Sequence, residues 1–302
     1  MKIFSIFGPT ASGKTNLSIE LAKIVNGEII GVDSRQIFKN IAIGTAQPNA
    51  YQLSEVKHYL VGELNLDQKI SAGKYMKKVD EAISTIIDKN KTPILCGGTG
   101  LYLKTMKDGI FSGSKTNLSI RKKLEDKYDS GKMFEMHEEL QKIDPIYAEK
   151  VHVNNRQRLI RALEVFKITG KPISENFQSV NKKSIYSENL ETVFLKNSLV
   201  NLEKSISQRI DLMFDYGIVE EVLKIKKMDL DISHINYIGF KEVCDLIDEK
   251  ISLIEAKELI YFRTRQYAKR QLKWFNNHQF DQVIDLETIK HNRIVELLTG
   301  KT

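Results

Sequence analysis

The stretch FGPTASGKT, residues 7–15, constrains this chain more than any other. Gly8, Gly13, Lys14 and Thr15 fill the spacing G-x-x-x-x-G-K-[ST], which works only between a buried strand and a helix. Both are present. KIFSIF (2–7) reads as a short apolar strand, and KTNLSIELAKIV (14–25) places Leu17, Leu21 and Ile24 on one helical face. In such a unit the loop Gly8, Pro9, Thr10, Ala11, Ser12, Gly13 curls so that backbone N–H groups and the helix N-terminus converge on a phosphate. Lys14 adds a point charge, and the Thr15 hydroxyl is a ligand for Mg2+. The default cargo is ATP or GTP.

The chain behind this loop repeats short apolar strands and helical segments. GEIIGVD ends a second strand at Asp33, HYLVGEL (58–64) reads as a third, and TPILCGGTG (92–100) as another that runs out in glycines. Between the last two, residues 73–90 place Met76, Val79, Ile83 and Ile87 on one helical side. The alternation predicts an α/β fold, a P-loop NTPase-like parallel sheet wrapped by helices. The character changes near Gly113. Residues 115–184 are polar, charged and helical in pattern, so they form a mostly helical insertion domain between the core segments 1–114 and 185–302. Its clearest helix is NNRQRLIRALEVFKITGKP (154–172), with Asn154 or Asn155 as N-cap, Leu159, Leu163 and Phe166 on one face, and a stop at Gly170 and Pro172. LETVFLKN (190–197) returns to strand character, helices run from about 199 to 275, and FDQVIDL (280–286) reads as a last strand.

With 302 residues, 41% of them hydrophobic, the chain can bury a real core. Cys96 and Cys244 stand far apart and no Cys/His cluster occurs, so a zinc site or disulfide framework is not expected and a reduced cytosolic setting is. No stretch approaches a membrane-spanning length, and MKIFSIFGPT lacks the long apolar region of a signal peptide. The formal net charge of +7 is compatible with a polyanionic partner, but its placement matters more than its sum. YFRTRQYAKRQLKWF (261–275) interleaves aromatics with Arg265, Lys269, Arg270 and Lys273, and Arg156, Arg158 and Arg161 form a second basic cluster. A solvated helix face explains each run alone; two of them beside a phosphate loop suit phosphate contacts with stacking on bases. The six histidines and Trp274 read as structural residues.

Two further segments bear on chemistry. Asp33 stands at the carboxyl end of the second strand, where open α/β sheets bind ligands, and a carboxylate there serves either as a general base or as a helix cap. In CGGTGLYLK (96–104), glycines at a strand end allow close approach of another backbone or a planar ring, or simply a tight turn. An NTP hydrolase usually has a Mg2+-holding acid at the end of a buried strand. Here PILC runs into Gly97, Gly98 and Thr99 instead, so the loop is fit to hold a diphosphate without activating water against a γ-phosphate.

Taken together, GPTASGKT (8–15), DSRQIF…IGTAQP (33–48), GGTGLYLK (97–104), NNRQRLIRALEV (154–165), IGFKE (238–242) and TRQYAKRQLKW (264–274) resemble the tRNA dimethylallyltransferases, in that family's order and over most of the chain. The resemblance implies transfer of a dimethylallyl group from dimethylallyl diphosphate to N6 of adenosine 37, beside the anticodon, in tRNAs that read codons starting with U. It implies a Mg2+ requirement and an insertion domain on the anticodon stem-loop of the tRNA, in a cytoplasmic monomer. It makes Asp33 the base, with Lys14 and Arg209 on the diphosphate. It places tRNA contacts at Asp33, Ser34, Arg35 and Gln36, at Thr99 and Arg121, at Gln157, Arg158, Leu159, Ile160 and Arg161, and at Lys269, Arg270 and Gln271. Two positions depart from the pattern: Gln47 where the family often has lysine, and Ser205 where it often has an arginine four residues before Arg209. The rival readings are a small-molecule kinase, which needs an arginine-bearing lid rather than two distant basic helices; an adenylate isopentenyltransferase, which needs no insertion domain; and a non-enzymatic RNA-binding protein, which has no use for Asp33 beside the loop.

Overall fold

A computed structural model describes residues 2–109, 117–176, 183–235, 237–289 and 291–300. The change of character placed near Gly113 lies outside them. The chain divides into two compact units, Met1–Lys107 with Ser184–Thr302, and Asp108–Lys183.

The first unit is built on six parallel strands: β1 (Ile3–Phe7), β2 (Gly27–Val32), β3 (His58–Tyr59), β4 (Thr92–Gly97), β5 (Leu190–Lys196) and β6 (Gln282–Asp285), in the order β3-β2-β4-β1-β5-β6. The helices before the second unit are α1 (Lys14–Ile24), α2 (Ala50–Glu55), α3 (Ala72–Asp88) and α4 (Gly100–Asp108). The second unit contains α5 (Leu118–Asp129), α6 (Met133–Ile143), α7 (Pro145–Ala148), α8 (Arg156–Thr169) and α9 (Ile173–Asn176), and among its described residues no strand. After β5 come α10 (Leu199–Asp215), α11 (Ile218–Lys227), α12 (Phe240–Ile247) and α13 (Leu253–Asn276); α14 (His291–Thr299) follows β6.

Burial explains the near-continuous apolar runs of the central strands, since helices cover both faces of the sheet. Side chains alternate along β1: Ile3 and Phe7 enter a core shared with Tyr75, Val79 and Ile83 of α3, while Phe4 and Ile6 enter another shared with Leu17 and Leu21 of α1. Ile24 does not join its expected face; it is 50% exposed, and Ile19 and Ala22 are buried instead. A third cluster packs α10–α13 through Leu202, Ile206, Ile210, Val222, Val243, Ile260 and Ala268. The second unit has its own core around Leu124, Met136, Leu140, Leu159, Ile160 and Leu163.

The third strand is shorter than HYLVGEL predicts. It ends after Tyr59 because Leu60 and Gly62 take positive φ, 58° and 59°. The chain then turns onto residues 36–38: Gly62 N–H donates to Gln36 O, and Glu63 and Leu64 N–H both donate to Ile37 O. The loop after β2 therefore acquires a neighbour along its length.

At the carboxyl edge, β4 approaches β2 too closely for any side chain at Gly97. A Cβ there would lie 2.0 Å from the Val32 carbonyl oxygen, which is backbone and cannot yield without moving the strand. Gly97→Ala is expected to lower stability by about 3 kcal/mol or more, read as a shifted urea midpoint at unchanged m-value; a midpoint within error of wild type would contradict this packing.

Candidate functional site

The loops that follow β1, β2 and β4 leave the same edge of the parallel sheet. Each carries one of the segments singled out from sequence.

The phosphate loop leads from β1 into α1. Gly13, at φ 80°, is in the left-handed region where glycine is favoured. No side chain caps α1, and no acid lies in its first turn. Its first N–H groups and positive dipole end are therefore left for an anion. Lys14 folds over the loop, its Nζ 2.5 Å from the Pro9 carbonyl oxygen and 3.4 Å from Ser12 Oγ. Burial brings its pKa down to about 8; Arg209 pushes the same way, while Cys96 and Asp33 oppose. Arg209, from α10, donates from Nη1 to Thr10 Oγ1 at 2.8 Å, and burial lowers its pKa too. Neither cation pairs with a carboxylate among the described residues. Ser205, the departure one turn earlier, donates to its own helix at Asn201 O.

Asp33 closes a tight turn. One oxygen, Oδ1, accepts the N–H of Arg35 at 2.8 Å and of Gln36 at 3.3 Å. The cap reading of this residue is thus satisfied by one oxygen, and no hydrogen bond to Oδ2 is formed among the described residues. Three tyrosines surround it. The Tyr75 hydroxyl donates to Gly31 O and Asp33 O, its ring stacks on Tyr102 at 4.1 Å, and burial with the Asp33 charge pushes the Tyr102 phenol up to about 12. Tyr267 of α13 is raised by burial and by Asp33, against Arg35 and Arg270. Sequence reading missed all three as neighbours of Asp33. The alternation of aromatic and basic residues in 261–275 was the available signal for Tyr267; Tyr75 and Tyr102 look like ordinary helix residues.

Further on, the IGTAQP loop is moulded by groups remote in sequence. Glu221 of α11 accepts Ile43 N–H and Gly44 N–H, both at 2.8 Å, and the Tyr237 ring covers Gly44 so closely that a Cβ would lie 2.4 Å from it. From the near side, Gln36 Nε2 donates to Thr45 O and Ala46 O. Gln47, the other departure, donates to Phe38 O at 2.8 Å and so braces the loop internally.

The glycine segment after β4 does admit both a backbone and a ring: Gly97 meets Val32, and Gly100 lies under the indole of Trp274, which also stacks on His278. Thr99 Oγ1 accepts Ser34 N–H at 3.2 Å and joins this loop to the Asp33 turn. Between this glycine segment and the phosphate loop sits Gln271, 7% exposed. Its Oε1 accepts Thr10 N–H at 2.8 Å and its Nε2 donates to Gly98 O at 2.9 Å.

The basic residues divide sharply. Lys269, Arg270 and Lys273 are exposed on α13 and make no ion pair among the described residues, whereas Arg265 binds Glu203. On α8, Gln157 and Arg158 are exposed. Arg156 is engaged by Asp129 through two bonds, at 2.9 and 2.7 Å. Arg161 lies 2.8 Å and Arg121 3.6 Å from the same oxygen of Glu164, a carboxylate 0% exposed. Two corrections follow for the contacts expected from sequence. Leu159 and Ile160 are 0% exposed in the second unit's core, and Gln271 is turned into the protein, so none of these side chains is presented at the surface. Segment patterns mark a helix, not the face of it that meets solvent. Among the described residues no three His, Cys, Asp or Glu side chains form a metal cluster, both cysteines are free, and no helix is long and apolar enough to cross a membrane.

Known proteins fit this geometry. The model of the IPP transferase family matches residues 36–278. The tRNA dimethylallyltransferase of Acetivibrio thermocellus is 41% identical over 90% of this chain and 88% of its own length; that of Lachnoclostridium phytofermentans is 39% identical over 97% and 93%. Among solved structures, the tRNA isopentenylpyrophosphate transferase of Bacillus halodurans superposes with a TM-score of 0.68 at 32% identity, covering 99% of this chain and 96% of that one. A eukaryotic dimethylallyltransferase acting on tRNA gives 0.80 at 27% identity, with 100% and 80% covered. With matches of this extent over a phosphate-loop sheet of the same architecture, the chain belongs to the IPP transferase family.

Proposed function

We propose that this protein is a tRNA dimethylallyltransferase that moves the dimethylallyl group of dimethylallyl diphosphate onto N6 of adenosine 37 of tRNA and releases diphosphate, acting as a monomer in the cytosol. The carrying observation is the pair Lys14 and Arg209: two half-buried cations, each with its pKa lowered by desolvation and without a carboxylate partner among the described residues, at an uncapped helix N-terminus, on the sheet edge that also holds Asp33.

The chemistry follows from where charge develops. Breaking the bond between allylic C1 and oxygen leaves negative charge on the diphosphate. Loop amides, Lys14 and Arg209 lower the energy of that charge where desolvation already lowers the pKa of both cations. The residues fit a Mg2+ that arrives on the diphosphate: the Thr15 hydroxyl has no hydrogen bond among the described residues, and β4 ends in Gly97 without an acid. When bound, that ion adds charge stabilisation on the leaving group. Adenine N6 is a weak nucleophile because its lone pair is shared with the ring. Asp33 accepts its proton as the new C–N bond forms, through the oxygen that the turn leaves free. Adenine must leave its stack to reach Asp33. Lys269, Arg270, Lys273 and Arg158, all exposed, serve the RNA backbone.

Three outcomes test the reading. Incubation with labelled dimethylallyl diphosphate, Mg2+ and unmodified tRNA is expected to label adenosine 37; in Asp33→Ala turnover falls by about 10²–10⁴-fold while tRNA affinity is kept. Phosphoryl transfer from ATP without prenylation would sink the proposal. The second concerns pH. Because the Lys14 amine is lowered to about 8, it is charged below that pH and loses its proton above it. Pyrophosphate binding by calorimetry is expected to weaken by about tenfold between pH 7 and pH 9 relative to a Lys14→Ala variant, whose ratio carries only the titration of the anion itself. A wild type tracking the variant across that range would remove Lys14 from the site. Third, Lys269→Ala/Arg270→Ala is expected to weaken tRNA binding and make its log–log salt slope shallower by about 1–2; an unchanged slope would return this face to plain solvation.

A further inference from the structure

We infer that Gln271 is a positioning residue for the diphosphate rather than a contact for RNA. It shapes the phosphate loop from α13, the helix whose other face carries Lys269, Arg270 and Lys273. The inference rests on the proposal that a diphosphate occupies that loop.

A carboxamide is one donor and one acceptor on a single rigid plane, and here both are used across the two loops that flank the site. Thr10 lies in the middle of the phosphate loop. Its N–H is tied to Gln271 Oε1 and its hydroxyl to Arg209 Nη1, so the same residue is gripped from α13 and from α10. Those helices pack on each other through Ile206, Ile260 and Ala268, and are pinned by Arg265 to Glu203 and Lys257 to Asp211. On its other side, the Gln271 amide faces Gly98, where a Cβ would lie 2.6 Å from Nε2. Glycine at 98 leaves room for the amide, so the strut has both its bonds and its space.

The consequence is geometric. Thr10 N–H points at the protein, which fixes the peptide plane and aims the remaining loop amides elsewhere. With a side chain at 271 that cannot accept, this N–H is a part-buried donor without its partner and the loop turns to satisfy it. With one that cannot donate, Gly98 O is left in the same condition. Either change disturbs the diphosphate cradle while the exposed cations of α13 stay in place.

The experiment measures steady-state KM for dimethylallyl diphosphate and for tRNA separately, with pyrophosphate affinity by calorimetry. Gln271→Leu, which keeps bulk without polarity, is expected to raise donor KM and pyrophosphate Kd by about tenfold and leave tRNA KM within twofold of wild type. Gln271→Glu keeps the acceptor for Thr10 but sets a carboxylate against Gly98 O and beside the anion site, and is expected to raise donor KM further. Gly98→Ala displaces the amide without touching α13 and is expected to reproduce the Leu variant, which guards against a folding defect peculiar to position 271. Lys269→Ala/Arg270→Ala gives the opposite split, raising tRNA KM alone. A rise in tRNA KM with unchanged donor KM in the Gln271 variants would overturn the inference, as would proportional loss of both. If instead wild type and Lys14→Ala bind pyrophosphate equally, the diphosphate reading itself has failed.

Discussion

Two half-buried cations that lack a carboxylate partner among the described residues set the terms for the rest of this structure. Lys14 and Arg209 are each made costly by burial, and the nearest acceptors of Lys14 are a loop carbonyl and a serine hydroxyl. Desolvated charges are usually paired, because their desolvation is otherwise uncompensated. Keeping these two apart from any fixed partner leaves the site dependent on an incoming anion. Much of the surrounding architecture is arranged to make that state tolerable: Arg209 is anchored by Thr10, Thr10 by Gln271, and Gln271 by Gly98. The loop is therefore a junction of β1, α10, α13 and the β4 turn, and not a freestanding cradle.

The strands and helices around the loop were legible because their signals are local. Apolar runs between glycines, N-caps such as Asn155 and the stop at Gly170 depend on neighbours a few residues apart. HYLVGEL misleads for the same reason. Its residues suit a strand, but positive φ at Leu60 and Gly62 and pairing with residues 36–38 redirect the chain, and a partner loop 26 residues away leaves no trace in the local pattern. Ile24 fails where the apolar stripe of α1 runs past the sheet. The site followed the same division. The loop, Asp33 and the glycine segment could be read directly; Glu221 on the IGTAQP loop and Gln271 between two others could not, because each connects positions more than 170 residues apart.

Charge was the least legible property. Counting arginines on α8 suggests a basic cluster, yet Arg156 is neutralised by Asp129, and Glu164 draws Arg121 and Arg161 to one buried carboxylate. What that carboxylate provides is direction: it orients Arg161, and together with Glu125 on the Nε of Arg121 it orients Arg121. On α13 the exposed lysines have no such restraint. On the proposed reading, salt-dependent attraction falls to α13 and Arg158, and orientation to the arginines on Glu164.

In the proposed reaction a single carboxylate, that of Asp33, has to suffice as the base. Asp33 spends one oxygen on the Arg35 and Gln36 amides, so its direction is fixed before any substrate arrives. A carboxylate is a weak base, and an aromatic amine a weak acid, so abstraction before attack would be steeply uphill. The order of events resolves this. As the N6 lone pair commits to carbon, the nitrogen gains positive charge and its proton becomes strongly acidic. The base is needed only then, and a correctly aimed weak one is enough. In that reaction leaving-group stabilisation carries most of the barrier, and on the proposed reading its weight falls on Lys14, Arg209 and the loop amides.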